Sequence, residues 1–260
     1  MRRELHIFLT AVMFYTRIPC PKWVDHNPEF IGFSTRYFPL IGWIIGGAYA
    51  AVIVLSSFIF QSAISIILGL VFSILLTGAF HEDGFADACD GFGGGWTKEK
   101  ILSIMKDSRL GTYGVVGVIL IFMLKVFSTI ELIQLTRIPP FILLIVSSHS
   151  LSRMMAVIII YSQPYVREDQ DSKAKPVATG TSFYNFLIAL LFGLVPFIYF
   201  LVQTNWLFAF VLIPMALITF YLSSYFKRWI GGYTGDCLGA TQQVNEVIFL
   251  LSILVLWKFI

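Results

Sequence analysis

Seven apolar stretches, each about 20 residues long, leave this chain few folds to choose from. They lie near 39–60, 62–80, 111–134, 138–160, 183–202, 205–224 and 244–260. Runs of that length cross a bilayer as helices, because a helix satisfies its own backbone hydrogen bonds where no water can. A membrane barrel would instead show alternating segments of about 10 residues. Composition points the same way: 57% of the residues are hydrophobic and only 13% charged, against about 25% charged in a soluble domain. The expectation is an all-α polytopic integral membrane protein of about seven transmembrane helices, forming one domain over 1–260. Residues 5–16 are also apolar, but Arg17, Pro19 and Pro21 cut them short, so 1–38 reads as an interfacial or re-entrant segment. No small-residue cleavage pattern follows Met1-Arg2-Arg3-Glu4, so no cleaved signal peptide is expected. Cys20, Cys89 and Cys237 have no metal-type spacing and read as reduced thiols.

Parity of the crossings tests this map. It puts 1–38, 81–110, 161–182 and 225–243 on one side, and those segments hold 14 of the 18 basic residues. The excess marks that side as cytoplasmic. The unusual polar motifs fall on it too, so a cytoplasm-facing active site is expected in 81–110 and 225–246.

The first motif is acidic. Glu82, Asp83, Asp87 and Asp90 bring four of the 15 acidic residues into nine positions with no Lys or Arg among them. Asp83, Asp87 and Asp90 are spaced i, i+4, i+7 and share one helical face. Because an apolar run leads into them, the sequence places them at the C-terminal end of a spanning helix, where the macrodipole is already negative. Carboxylates so crowded call for a cation, and all-oxygen ligation points to Mg²⁺ or Mn²⁺. Clustered Asp residues around hard cations suit phosphoryl transfer, with a further carboxylate to position or deprotonate a hydroxyl.

Basic and glycine-rich motifs follow. Lys98, Lys100, Lys106 and Arg109 offer charge for phosphate, and Arg109 can clamp one in a bidentate fashion. Gly111 and Gly114 open the next span, where a helix N-terminus is a natural anion site. Asp107 is a candidate to complete the metal site. A second island, Gly231 to Thr241, carries Asp236, with Glu246 at the start of the last span. Either acid is a candidate to position the attacking hydroxyl. Arg153 and His149 share a face inside the fourth span, and Arg153 is within reach of the acidic site. Lys125 reads as structural, paired with Glu131, and His81 as a carboxylate or substrate partner.

These residues resemble the cobalamin synthase family of membrane adenosylcobinamide-GDP ribazoletransferases, over essentially the whole chain. Phe14 to Pro19 is similar to its Thr-Arg-Ile/Leu-Pro signature, and Phe38 to Gly42 to the start of its first long span. His81, Asp83, Gly84, Asp87, Asp90 and Gly91 match its His-x-Asp-Gly-x-x-Asp-x-x-Asp-Gly core. Lys106 to Gly111 match its Asp-Ser-Arg-Leu-Gly block, and Thr234 to Ala240 its Thr-Gly-Asp-x-Leu-Gly-Ala block, with Glu246 following. The resemblance implies joining of α-ribazole, or its 5′-phosphate, to adenosylcobinamide-GDP, with release of GMP. It implies Mg²⁺ dependence and a bacterial inner membrane, with lipid around the chain.

On this reading Asp83, Asp87 and Asp90 ligate Mg²⁺. Asp83, Asp87, Asp107, Arg109, Asp236 and Glu246 carry the chemistry, and His81, Lys106, Arg153 and Thr234 hold substrate. Other enzymes of the pathway or a second copy of the chain are further partners to consider; no nucleic acid is expected. Two alternatives stand beside it. The acidic spacing also resembles CDP-alcohol phosphotransferases of lipid headgroup transfer, although Ala86-Asp87 replaces their Ala-Arg. A cation transporter would place its carboxylates near mid-membrane.

Overall fold

The computed structural model describes residues 2–24, 27–167 and 182–260. Lys173 and Lys175, counted above in the charge asymmetry, lie outside the described residues. The described residues form eleven α-helices and no β-sheet; one isolated parallel bridge joins Tyr165 to Tyr233.

The N-terminal helix α1 (Arg2–Tyr15) is 14 residues long, or about 21 Å, too short for a hydrocarbon core of about 30 Å. A short helix α2 (Pro28–Ser34) and a 3-10 turn (Thr35–Tyr37) lead directly into α3 (Phe38–Ser56). The buried Arg36 ties these parts together, donating to Glu4 at 2.6 Å and to Asn185 at 3.0 Å.

The other long apolar helices are α7 (Thr112–Leu135), α8 (Ile138–Ser162), α9 (Phe183–Gln203), α10 (Leu212–Ile230, entered through the 3-10 turn Trp206–Val211) and α11 (Gly235–Trp257). With α3 they give six helices long and apolar enough to cross a membrane, and the 16-residue α4 (Ser62–Thr77) counts as a seventh only when taken together with the helix that follows it. In its most apolar window α8 is 78% buried and α11 67%, against 28% for α7. The polar residues of α8 and α11 therefore face protein, while Val116, Leu120 and Phe127 of α7 are left for lipid.

Two expectations change. First, the acidic stretch is not the tail of the second span. α4 stops at Gly78 (φ 67°) and Ala79 (φ 58°), both left-handed, and α5 (Phe80–Gly94) sets off at 90° to it. Glu82 and Asp83 thus occupy the first turn of their own helix, the end where the macrodipole favours anions. α5 lies across the end of the bundle rather than continuing through it. Arg17 packs on this corner: a Cβ on Gly78 would fall 2.3 Å from its Nε, and its backbone N–H donates to Leu76 O at 2.7 Å. Second, the last span begins at Gly235, not near residue 244. Glu246 is thereby eleven residues inside α11, about 16 Å along its axis.

Candidate active site

α5 crosses the first turn of α11 in direct contact. A Cβ at Gly84 would sit 3.0 Å from Asp236 Cα, so glycine is needed for the helices to touch there. The contact brings Asp236 of α11 into electrostatic range of Asp83 and Asp87 of α5. Asp236 Oδ2 accepts from Arg167 Nη2 at 2.9 Å and from Thr234 Oγ1 at 3.3 Å. Thr234 is also the N-cap of α11, accepting the Cys237 N–H. The backbone holds Arg167 in place: Val166 N–H donates to Tyr233 O, and Tyr233 N–H to Pro164 O, each at 3.0 Å. Arg167 donates as well to Met105 O at 3.1 Å, at the end of α6 (Lys98–Lys106).

Asp83 is exposed and Asp87 half-buried. Burial first, then Asp236 and Asp83, push the Asp87 carboxyl up to about 7, while Arg167 opposes the shift. Negative charge here is under-compensated by the protein itself. Among the described residues, no three His, Cys, Asp or Glu side chains stand close enough to enclose an ion by themselves. Mg²⁺ does not require such a cage, since it keeps several waters and is held through one or two carboxylates and substrate phosphates. Asp83 and Asp87, one turn apart on an open face, fit that donor set.

Asp90 has another task. Its oxygens accept the backbone N–H groups of Gly111 at 2.7 Å and Gly114 at 2.8 Å. The anion at the α7 N-terminus is thus supplied by the chain itself. A Cβ on either glycine would lie 2.4 Å from an Asp90 oxygen, so a larger residue there would push the carboxylate off these N–H groups. Asp107 and Arg109 also differ from expectation. They form a forked pair, with Arg109 Nη2 2.6 Å and Nε 3.0 Å from the Asp107 oxygens. Arg109 holds the Asp107 carboxyl down to about 2. The Arg109 side chain is 88% exposed, so the pair stands in solvent on the loop before α7.

Glu246 and Arg153 belong to a separate cluster within the bundle. Glu246 Oε2 accepts from Lys125 Nζ at 2.5 Å, and its Oε1 lies 3.0 Å from His149 Nδ1 and 3.3 Å from Arg153 Nη1. Gln242 Nε2 also donates to Oε1. Gln243 links this cluster to α5, accepting from Lys125 Nζ at 2.5 Å and donating to Glu82 Oε1 at 2.9 Å. Lys125 is therefore partnered by Glu246, not Glu131, and Arg153 bonds to Glu246 while lying in electrostatic range of Glu82, the first acid of α5. His81 is buried, with its ring stacked 5.5 Å from that of Phe38. Lys106 lies in the wall of a groove beside Arg167.

The site therefore joins Asp83, Asp87, Asp236, Thr234 and Arg167, and leaves Asp107, Arg109, Glu246 and Arg153 outside it. Sequence reasoning missed Arg167, which stands 69 residues from its partner with no spacing to betray it. It also missed Lys125 as the partner of Glu246. The signal for that pair was charge balance, since two cations within spans demand an anion at the same depth.

Residues 7–254 match the family model described as cobalamin-5-phosphate synthase. The chain belongs to this family. A relative from Leptospira interrogans, named adenosylcobinamide-GDP ribazoletransferase, is 44% identical over 100% of this chain and 99% of its own. A Shewanella frigidimarina protein of the same name is 44% identical over 97% of this chain and 95% of its own. One from Vibrio cholerae, also so named, is 41% identical over 98% and 95%. No solved structure matches. Membership in the cobalamin-5-phosphate synthase family, over nearly the full length, decides between the resemblance first noted and the lipid-headgroup and transporter alternatives.

Proposed function

We propose that the chain is an adenosylcobinamide-GDP ribazoletransferase of cobalamin biosynthesis. It joins adenosylcobinamide-GDP to α-ribazole or its 5′-phosphate and releases GMP. The observation that carries this reading is the meeting of Asp83 and Asp87 from α5 with Asp236 from α11, one of them already paired with Arg167. Asp83 and Asp87 would hold Mg²⁺, and Asp90 supports them by fixing α5 to the start of α7. Held there, the ion would supply charge neutralisation and Lewis-acid polarisation at a diphosphate.

In the transfer, a ribose hydroxyl oxygen of ribazole forms a bond to the cobinamide-side phosphorus. The bond from that phosphorus to the bridging oxygen breaks, and GMP leaves with the electron pair. The hydroxyl proton passes to the Asp236 carboxylate, which Arg167 and Thr234 hold in orientation. Glu246 is walled in by Lys125, His149 and Arg153, and acts through structure.

The ends of α4, α7, α8 and α10 that carry the site are those beside the basic segments, so the site faces the cytoplasm of a bacterial inner membrane. The test is incubation of purified protein in detergent or liposomes with both substrates, with and without Mg²⁺, measuring GMP and corrinoid product. Formation of both only with Mg²⁺ is the expected result; no product from well-folded protein would reject the reading.

A further inference from the structure

Asp83 and Asp87 lie on α5 between two attachments. Asp90 ties the far end of the helix to the start of α7. The near end has no side-chain cap, because its N-cap residue is Ala79, in a left-handed conformation. Glu82 anchors this first turn instead. Its Oε1 accepts from Gln243 Nε2 at 2.9 Å. Gln243 is buried in α11, where it also accepts from Lys125 Nζ at 2.5 Å and donates to Gln242 Oε1 at 3.0 Å. Lys125 and Gln242 both bond to Glu246. The start of α5 is therefore fastened, through one glutamine, to the ionic cluster inside the bundle.

The second oxygen of Glu82 is turned inward as well. Glu82 Oε2 is buried and, among the described residues, has no hydrogen-bond partner. The same is true of Arg153 Nε, although Arg153 bonds to Glu246 and to His149 O through Nη1. Both side chains line a cavity of about 20 Å³, together with Ser73 and Thr77 of α4. That volume has room for one water, with the Arg153 N–H to donate to it and the Glu82 oxygen to accept from it. With both oxygens directed into the bundle, Glu82 does not extend the open face of Asp83 and Asp87. Consecutive residues on a helix point about 100° apart, so whatever fixes the Glu82 side chain fixes the rotation of α5 and the direction of Asp83.

We propose that Glu82 is a positioning residue: by accepting from Gln243 it sets the rotation of α5, and so the geometry in which Asp83 and Asp87 meet a divalent cation. This rests on the reading of those two acids as Mg²⁺ ligands, and adds to it the group that aims them.

Mn²⁺, which takes the same oxygen ligands as Mg²⁺, is the probe. Its binding to full-length protein in detergent, without substrate, is read from the electron paramagnetic resonance signal of the free ion. The variants are Glu82→Met, Glu82→Gln, Gln243→Met, the double variant Glu82→Met with Gln243→Met, and Asp87→Asn. Glu82→Met is expected to raise the Mn²⁺ dissociation constant about tenfold, the lower end of what removing a supporting group costs a metal site. Glu82→Gln keeps an oxygen for Gln243 and should recover most of the affinity. Gln243→Met alters no residue of α5, yet should weaken binding as Glu82→Met does, and the double variant no further, because both changes remove one bond. A merely structural role would lower the number of sites per chain and leave the dissociation constant of the remaining sites unchanged. Wild-type affinity in Gln243→Met, losses that add in the double variant, or a Glu82→Gln protein as weak as Glu82→Met would each overturn the positioning. If Glu82→Met does not accumulate, Gln243→Met decides alone. Binding that survives Asp87→Asn rejects the metal reading and the positioning with it; binding lost in Asp87→Asn but unchanged in Gln243→Met rejects the positioning only.

Discussion

Asp90 accepts the backbone N–H of Gly114 at 2.8 Å, which fills the α7 N-terminus with a carboxylate from α5 and locks the two helices at a fixed distance. Asn at this position keeps the shape but turns an NH₂ toward one of the two N–H donors. Asp90→Asn is expected to lower stability by about 1–3 kcal/mol, the cost of a buried donor left unsatisfied. Thermal unfolding in detergent measures it, and an unchanged midpoint would remove Asp90 from this role.

Gly84 fixes a second distance. Its Cβ position lies 3.0 Å from the backbone of Asp236, and backbone cannot swing aside as a flexible side chain can. Gly84→Val is expected to push α5 away from α11 and part Asp83 and Asp87 from Asp236. Turnover should fall at least about tenfold, since small misplacements in a reacting site are costly. Steady-state kinetics on membrane-inserted variant protein is the check; wild-type turnover would show that the crossing distance does not matter.

If Asp87 holds Mg²⁺ as proposed, protons and the metal compete for it. Its carboxyl sits at about 7 in the fold against 3.8 as the ordinary value, so between those limits the folded chain binds more protons than the unfolded one. By linkage the metal-free protein loses stability as pH rises through that window. Mg²⁺ must displace the proton, so the thermal shift it produces grows as pH approaches about 7. Asp87→Asn abolishes both trends. A Mg²⁺ shift independent of pH and insensitive to Asp87→Asn would place the ion elsewhere.

Glu246 neutralises Lys125 and Arg153 inside the bundle. Removing one partner from a buried ionic cluster costs about 3–5 kcal/mol, because the remaining charge is left uncompensated. Glu246→Ala should therefore fail to accumulate or unfold early, and Lys125→Met in the same chain should recover part of the loss. Denaturant midpoints of the single and double variants decide this; a stable, inactive single variant would instead return Glu246 to the chemistry.

Much of this was legible in the chain. Long apolar runs located the spanning helices, most of them to within a few residues though α11 starts nine residues early, because the bilayer imposes length and polarity directly. The i, i+4, i+7 spacing put Asp83, Asp87 and Asp90 on one helix, as found. The turn at Gly78 and Ala79 was hidden, since Ala79 in a left-handed conformation has no sequence signature, and the side chain packed on the neighbouring Gly78 is that of the distant Arg17. Missing that corner reversed the sign of the helix end facing the carboxylates. The partners of Asp90, Glu246 and Asp236 were hidden for a different reason. Hydrogen bonds spanning 24, 121 and 69 residues leave no local pattern, and the N–H groups that Asp90 accepts belong to backbone, which carries no residue code at all.

The place of Glu246 also sets an order of events during synthesis. Lys125 and Arg153 precede it by 121 and 93 residues, so both enter the bilayer before their counter-charge exists. At about 5–20 residues per second, the delay amounts to roughly 5–25 seconds. Through that interval Lys125 and Arg153 lack the carboxylate that bonds to both of them in the finished bundle. The final helix is thus the step that completes the charge pairing inside the bundle, since only α11 brings the acid that Lys125 and Arg153 share.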